Sequence, residues 1–172
     1  MELDRDGQNP MLMIATGRAK NRNAHRVPLS PQVEKLVRGA LAASGASAYV
    51  FPGAQDTHIS PRSVSKAMER TRDRIELGDV TIHDLRRTVG THMSRRDVPR
   101  DVRERILNHG GKRKGNVTDS VYNRYEYDAE KRAALELWAG ALDGITSGSR
   151  TEIDSYAVRL ARLKGADKIT VG

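Results

Sequence analysis

The stretch TIHDLRRTVGTHM, residues 81–93, decides how the centre of this chain folds. Its apolar residues recur at helical spacing: Ile82, Leu85, Val89 and Met93. This spacing predicts an amphipathic helix whose apolar stripe faces a core. Thr81 is a good N-cap, and Asp84 three residues later completes a pattern close to a capping box. The stretch also carries two residues that can bind phosphate, His83 and Arg86.

Further helices are predicted on both sides of this one. Ser30-Pro31 and Ser60-Pro61 each resemble a capped helix start with proline in the first turn. The first of these helices has an apolar face that we expect to be buried, formed by Val33, Leu36, Val37, Ala40 and Leu41. The same reasoning predicts helices over residues 99–107, from about 119 through Tyr122, over 128–142 with Asp128 as its cap, and over 153–163.

The N-terminal part has the pattern of a β-hairpin. Residues 11–14 are a short apolar run and residues 26–29 a second candidate strand, and the polar, basic turn between them presents Lys20 near its tip. The predicted fold class is therefore α+β, mainly helical with a small N-terminal antiparallel sheet. We expect one main domain over residues 1–143, followed by a linker and a C-terminal helix or tail over 144–172.

Composition points to an anionic partner. The 172 residues include 30 Lys and Arg against 22 Asp and Glu, which gives a net charge of +8. Such a balance favours nucleic acid first and an anionic membrane second, although a merely positive surface is an alternative. Cysteine is absent, which excludes disulfides and cysteine-based zinc sites. No secretory signal and no apolar run of about 20 residues is present, so we expect a cytoplasmic protein.

The most specific function that the polar residues indicate is phosphate chemistry. His83 and Arg86 are three apart and share a helix face, where a guanidinium and an imidazole can clamp a phosphate and move a proton. His109 follows an apolar helix end and can add a second donor. Tyr122 and Tyr125 carry hydroxyls that can attack phosphorus. Each residue also has an ordinary structural explanation: an exposed histidine, a helix cap, or packed tyrosine rings.

Metal and nucleotide chemistry are disfavoured. His83 and His92 are nine residues apart on one helix and face opposite ways, so the two cannot join His109 in one metal site. The sequence has no phosphate-binding glycine loop followed by Lys-Ser or Lys-Thr. We therefore expect no metal and no cofactor.

Taken together, four separated motifs resemble the catalytic domain of the tyrosine recombinases, the phage integrase family. HDLRRT, residues 83–88, matches the family's His-x-x-Arg motif, and residues 107–109, Leu-Asn-His, match its Leu-Gly-His motif with Asn for Gly. Tyr122 in VYNRY looks like the nucleophile. Lys20 ahead of the segment HRVPLS, residues 25–30, looks like the family's hairpin lysine. The charged segment DAEKR, residues 128–132, is similar to that of prophage integrases.

The resemblance implies site-specific DNA recombination through a 3′-phosphotyrosyl intermediate. Tyr122 is then the nucleophile, with Tyr125 as a second candidate, and Lys20 is the general acid. Arg86 and His109 stabilise charge on the phosphate, and His83 assists by proton transfer or hydrogen bonding. The DNA-binding residues implied around this site are Arg87, Lys112, Arg113 and Lys114. The resemblance implies double-stranded DNA as the partner and a homo-oligomer that assembles on this DNA. It also implies a location at the bacterial nucleoid and no membrane partner.

The chain also departs from the family pattern. The family's first catalytic arginine, upstream of the hairpin, has no counterpart here, since Arg5 lies in the wrong context. The resemblance therefore implies a partial catalytic domain that we expect to be inactive alone, with a C-terminal helix that docks on a neighbouring protomer. One alternative is a non-catalytic DNA-binding or assembly fragment of a degenerate integrase. Another is an RNA-binding protein, which the aromatic content of 4% disfavours.

Overall fold

Two short strands form the hairpin that the sequence predicts. In the computed structural model, which describes residues 10–19, 24–108, 126–148 and 155–166, β1 (Met11–Ile14) pairs antiparallel with β2 (His25–Pro28). Met11 lies opposite Pro28 and Ile14 opposite His25. A backbone hydrogen bond of 2.9 Å from Leu29 to Pro10 extends the pairing beyond the strands. Residues 15–24 connect the strands, and Lys20 lies in that connection.

Helices make up most of the remaining described chain, which confirms the predicted α+β, mainly helical class. They are α1 (Pro31–Ser44), α2 (Pro61–Arg74), α3 (Ile82–Ser94), α4 (Arg100–Ile106), α5 (Asp128–Ser147) and α6 (Tyr156–Ala166). A short 3₁₀ turn, Ala54–Asp56, precedes α2. Both predicted Ser-Pro helix starts are confirmed: α1 begins at Pro31, and the Ser60 hydroxyl accepts a hydrogen bond of 3.1 Å from the Ser63 amide. The helix predicted from about residue 119 lies outside the described residues.

The described chain divides into two units, residues 1–30 with 90–172 and residues 31–89. The first unit contains every buried apolar residue of the described chain: Met11, Leu29, Met93, Val98, Val102, Ala133, Ala134, Leu137, Ala139, Ala141 and Tyr156. Met93 and Leu137 are the largest side chains that are fully buried. This core joins the hairpin, the end of α3, α4, α5 and α6, so α5 is the element around which the unit packs.

The second unit, residues 31–89, contains no buried residue. The prediction that α1 buries its apolar face is therefore wrong, because Val33, Leu36 and Leu41 are 42%, 72% and 36% exposed. The stripe predicted along α3 is buried only at Met93, while Ile82 and Leu85 are about half exposed. Periodicity shows which side of a helix is apolar, but it does not show whether another element covers that side.

The two ends of α5 differ from the sequence prediction. Asp128 is the first helical residue rather than the cap, and Tyr127 precedes it in a left-handed conformation with φ 56°. At the other end the helix continues to Ser147, into the stretch whose composition predicts a linker. Hydroxyls of Thr146 and Ser147 bond back to helix carbonyls at 2.9 and 2.7 Å, which is compatible with helical geometry.

The C-terminal helix α6 packs against α5 of the same chain. Tyr156 is buried there, and Lys164 pairs with Glu130 at 2.7 Å. Docking of this helix on a neighbouring protomer stays a prediction. Among the helices of the described residues, none has the length and apolar character needed to cross a membrane.

Candidate active site

The described catalytic candidates lie in the first two turns of α3. Thr81 and Asp84 form the predicted capping box: the Asp84 amide donates to the Thr81 hydroxyl at 3.3 Å, and the Thr81 amide donates to the Asp84 carboxylate at 3.1 Å. The Thr81 hydroxyl also donates to that carboxylate at 2.6 Å. These bonds satisfy backbone groups that a helix start otherwise leaves without partners. The local sequence thus fixes where the helix carrying His83 and Arg86 begins.

The Asp84 carboxylate is held in its charged form. Hydrogen bonds from the side chain and then the backbone of Thr81, followed by the charge of Arg87, lower the pKa of Asp84 below its ordinary value of 3.8. Arg87 lies 3.7 Å from that carboxylate. Asp84 is therefore committed to the cap and to Arg87, which makes it a poor candidate for proton transfer near neutral pH.

Arg86 differs from its neighbour Arg87. His83 and Arg86 are both exposed, three residues apart on α3. Within the described residues, Arg86 makes neither an ion pair nor a hydrogen bond, so its guanidinium is available to an anion. A planar guanidinium without a protein carboxylate is suited to a bidentate interaction with phosphate.

The other site candidates lie outside the described residues: Lys20, His109, Tyr122, Tyr125, Lys112, Arg113 and Lys114. The structure describes the elements that flank three of them in the chain. Lys20 lies between β1 and β2, His109 follows Asn108 after α4, and Tyr125 directly precedes Glu126 at the approach to α5.

The Leu-Asn-His motif begins at the end of α4, where the backbone turns left-handed at Asn108. Asn108 has a φ of 45°, in the left-handed region that favours glycine and, after it, asparagine. The family motif has glycine at this position, so the Asn substitution keeps the required backbone freedom. The Leu107 side chain lies over Gly90 of α3, where an added Cβ would be 3.4 Å from its Cδ1 atom.

Four contacts hold these elements together at the start of α5. The Arg105 guanidinium lies 4.0 Å from the centre of the Tyr127 ring, a cation–π distance. Arg26 of β2 pairs with Asp128 at 2.7 Å. Lys131 pairs with Asp128 at 2.9 Å and donates a hydrogen bond of 2.8 Å to the Arg26 carbonyl. The hairpin, the end of α4 and the start of α5 are thereby fixed to one another.

The family model described as "Phage integrase family" matches residues 4–128. The chain belongs to the phage integrase family, that is, to the tyrosine recombinases. It is similar to the prophage integrase IntZ of Escherichia coli strain K12, with 34% identity over 78% of this chain and 32% of that protein. The prophage integrase IntA of the same strain is 30% identical over 79% of this chain and 32% of its own length.

The integrase of Shigella phage Sf6 is 29% identical over 80% of this chain and 35% of its own length. This member of the phage integrase family therefore spans about a third of the curated relatives it matches. In the comparison with solved structures, none matches it. The family membership confirms the resemblance that the four motifs indicated. It also confirms that the fold is of the tyrosine recombinase type.

Sequence reasoning missed the charged cluster at the start of α5. Asp128 was expected to be a cap, and no partner was assigned to Lys131, yet only 3% of Lys131 is exposed. A signal was present in the segment DAEKR, residues 128–132, which places four charges in five residues at the head of an otherwise apolar helix. Such a concentration is unusual for a helix that forms the centre of a core.

Proposed function

We propose that this chain carries catalytic residues of a site-specific recombinase that cleaves and rejoins duplex DNA through a 3′-phosphotyrosyl intermediate. Membership of the phage integrase family supports recombination at the level of the family. The observation that carries the proposal is Arg86: it is exposed beside His83 and makes no ion pair within the described chain, whereas Arg87 pairs with Asp84.

In the proposed reaction, the Tyr122 hydroxyl oxygen attacks the phosphorus of a DNA phosphodiester. A phosphorus–oxygen bond forms to the tyrosine, and the bond to the 5′ oxygen breaks. Lys20 donates a proton to that leaving oxygen, while His83 takes up the phenolic proton or hydrogen-bonds to the phosphate. Arg86 and His109 stabilise the charge that develops on the phosphate oxygens. Attack by a free 5′ hydroxyl from a second duplex reverses the step and rejoins the strands.

The surrounding basic residues hold the duplex. Arg87, Lys112, Arg113 and Lys114 contact the DNA backbone, in keeping with a net charge of +8. Exchange between duplexes requires several protomers, so we propose a homo-oligomer assembled on DNA in the nucleoid. In that assembly α6, which packs against α5 of its own chain in this structure, is the segment that we propose to dock on a neighbouring protomer.

A second candidate is a DNA-binding or assembly fragment without catalysis. It is favoured by the basic composition of the chain, with 30 Lys and Arg against 22 Asp and Glu. Helix α2 has no buried residue and adds five cationic side chains: Arg62, Lys66, Arg70, Arg72 and Arg74. Phosphate neutralisation by such residues requires no reacting group.

Trapping on nicked suicide DNA separates the two candidates. The chain, and a form extended upstream in its gene, are incubated with att-like DNA that flanks the gene, and covalent adducts are resolved on denaturing gels. A recombinase gives an adduct from at least one form. Salt-sensitive binding to duplex DNA without an adduct from either form supports the second candidate and contradicts the first.

Two neighbouring arginines provide matched variants. Arg86→Ala removes transition-state stabilisation, so we expect adduct formation at saturating DNA to fall by about 100-fold or more. Arg87→Ala removes one contact with a DNA phosphate, so it weakens DNA binding and lowers the number of counterions released on binding by about one. The rate of adduct formation at saturating DNA stays near the parent's. Equal effects of the two variants on the saturated rate would contradict the assignment of Arg86.

A further inference from the structure

Arg26, Asp128 and Lys131 form a closed cluster between β2 and the first turn of α5. The Arg26 guanidinium pairs with one carboxylate oxygen of Asp128 at 2.7 Å, and the Lys131 ammonium pairs with the other at 2.9 Å. Lys131 also donates to the Arg26 backbone carbonyl at 2.8 Å. Arg26 is therefore held at both its side chain and its backbone by one helical turn.

The cluster is buried at Lys131 and partly exposed at its other two members. The Lys131 side chain is 4% exposed, and those of Asp128 and Arg26 are 33% and 39% exposed, so the Lys131 charge is less screened than that of a surface ion pair. The same turn reaches the other strand, because Arg132 lies 3.6 Å from the Met11 sulfur. Both strands of the hairpin are thus attached to the start of α5.

The position of the cluster in the chain links it to the proposed reaction. Lys20 lies six positions before Arg26, and Tyr122 lies six positions before Asp128. Six residues of extended chain span at most about 20 Å. The cluster therefore joins the hairpin of the proposed general acid to the helix that follows the proposed nucleophile.

We propose that the Arg26–Asp128–Lys131 cluster is a positioning device that sets the hairpin of Lys20 relative to α5, the helix that follows the proposed nucleophile in the chain. These three residues touch no reacting atom in this proposal, which rests on the recombinase function proposed above. Their effect is on the proton transfer to the leaving oxygen, since a general acid must lie within hydrogen-bond reach of the atom that it protonates.

A sulfur-bridged substrate isolates this effect. In DNA with sulfur in place of the bridging 5′ oxygen at the cleaved phosphate, the leaving group departs as a thiolate and requires no proton, because a thiol has a much lower pKa than an alcohol. Single-turnover adduct formation is measured on oxygen and sulfur substrates at saturating DNA, with whichever form of the protein gives an adduct.

For Arg26→Ala we expect a rate about 10- to 100-fold below the parent's on the oxygen substrate and close to the parent's on the sulfur substrate. Arg26→Lys keeps the charge opposite Asp128 and restores part of the oxygen rate. Arg100→Ala, which breaks the exposed pair of Arg100 with Glu104 at 2.7 Å, serves as the control and leaves both rates unchanged. An equal loss on both substrates, or no loss, overturns the positioning role while leaving the recombinase function intact.

Hydrogen exchange tests the cluster without reference to activity. In Arg26→Ala we expect faster exchange at the amides of His25, Arg26 and Val27 and in residues 128–131, with unchanged exchange in α2. Unchanged exchange in the hairpin overturns the inference even if the parent protein is active. The absence of an adduct from both the chain and its upstream-extended form overturns the proposed function instead, so the two failures are distinguishable.

Discussion

The Lys131 ammonium group donates a hydrogen bond of 2.8 Å to the Arg26 carbonyl oxygen, although the two residues lie 105 positions apart in the chain. Lys131 is 3% exposed and also pairs with Asp128. A lysine is rarely buried to this extent unless its charge has partners. The bond therefore joins β2 to α5 by a polar contact inside the first unit.

Lys131→Met tests the energy of this contact. Methionine keeps most of the side-chain volume but leaves the Arg26 carbonyl and Asp128 without the ammonium, so we expect a loss of about 2–3 kcal/mol in the free energy of unfolding. Urea denaturation measures the change. The exposed control Arg100→Met should lose less than about 1 kcal/mol. Losses of the same size in both variants would contradict a structural role for the buried charge.

The left-handed backbone at Asn108 gives a second prediction. Its φ of 45° disfavours branched side chains. Asn108→Val is therefore expected to cost about 1–2 kcal/mol of stability, whereas Asn108→Gly should cost less, because glycine adopts this conformation freely. Thermal unfolding of the two variants checks the order. A valine variant as stable as the glycine variant would mean that this backbone conformation is not maintained in solution.

His92 and the only tryptophan, Trp138, make the folded state sensitive to pH. Their ring centres are 5.0 Å apart. Burial, followed by the charges of Arg96 and Arg95, lowers the pKa of His92 below its ordinary value of 6.5. The unfolded chain then binds the proton first, so stability should fall as pH drops below 6.5 and level off below the folded-state pKa.

His92→Phe keeps a ring beside Trp138 and removes the titrating group. Urea unfolding followed by Trp138 fluorescence at about pH 7.5 and about pH 5 compares the two proteins. The parent should lose more stability than the variant over this interval. An identical loss would assign the pH dependence to other groups.

The two units should differ in local stability. Residues 31–89 contain no buried residue, whereas α5 contributes Ala133, Ala134 and Leu137 to the core. Opening α1 or α2 exposes little additional apolar surface, so we expect amide exchange in these helices to be faster than in α5. Mass-spectrometric hydrogen exchange on the intact chain measures the difference. Protection in α1 equal to that in α5 would contradict the burial pattern.

Local sequence patterns predicted the elements well and their packing less well. The hairpin and the Thr81–Asp84 capping box depend on residues close in sequence, and both were predicted correctly. The exposure of Leu36 and the burial of Lys131 depend on which elements meet in space, and periodicity carries no such information. For the site, the motifs predicted the family correctly. The Arg26–Asp128 pair could not be predicted, because it joins segments about 100 residues apart. Its only sign in the sequence is the charge-rich segment at residues 128–132.

The identity of the DNA-linked residue tests the central claim most directly. The adduct formed on nicked suicide DNA is digested with protease and nuclease, and the peptide that retains a nucleotide is sequenced by mass spectrometry, in parallel with Tyr122→Phe and Tyr125→Phe. We predict a phosphotyrosyl link at Tyr122, loss of the adduct in Tyr122→Phe and its retention in Tyr125→Phe. An adduct that persists in Tyr122→Phe at the parent's rate would contradict the assignment of the nucleophile, and no adduct from any form would contradict catalysis by this protein.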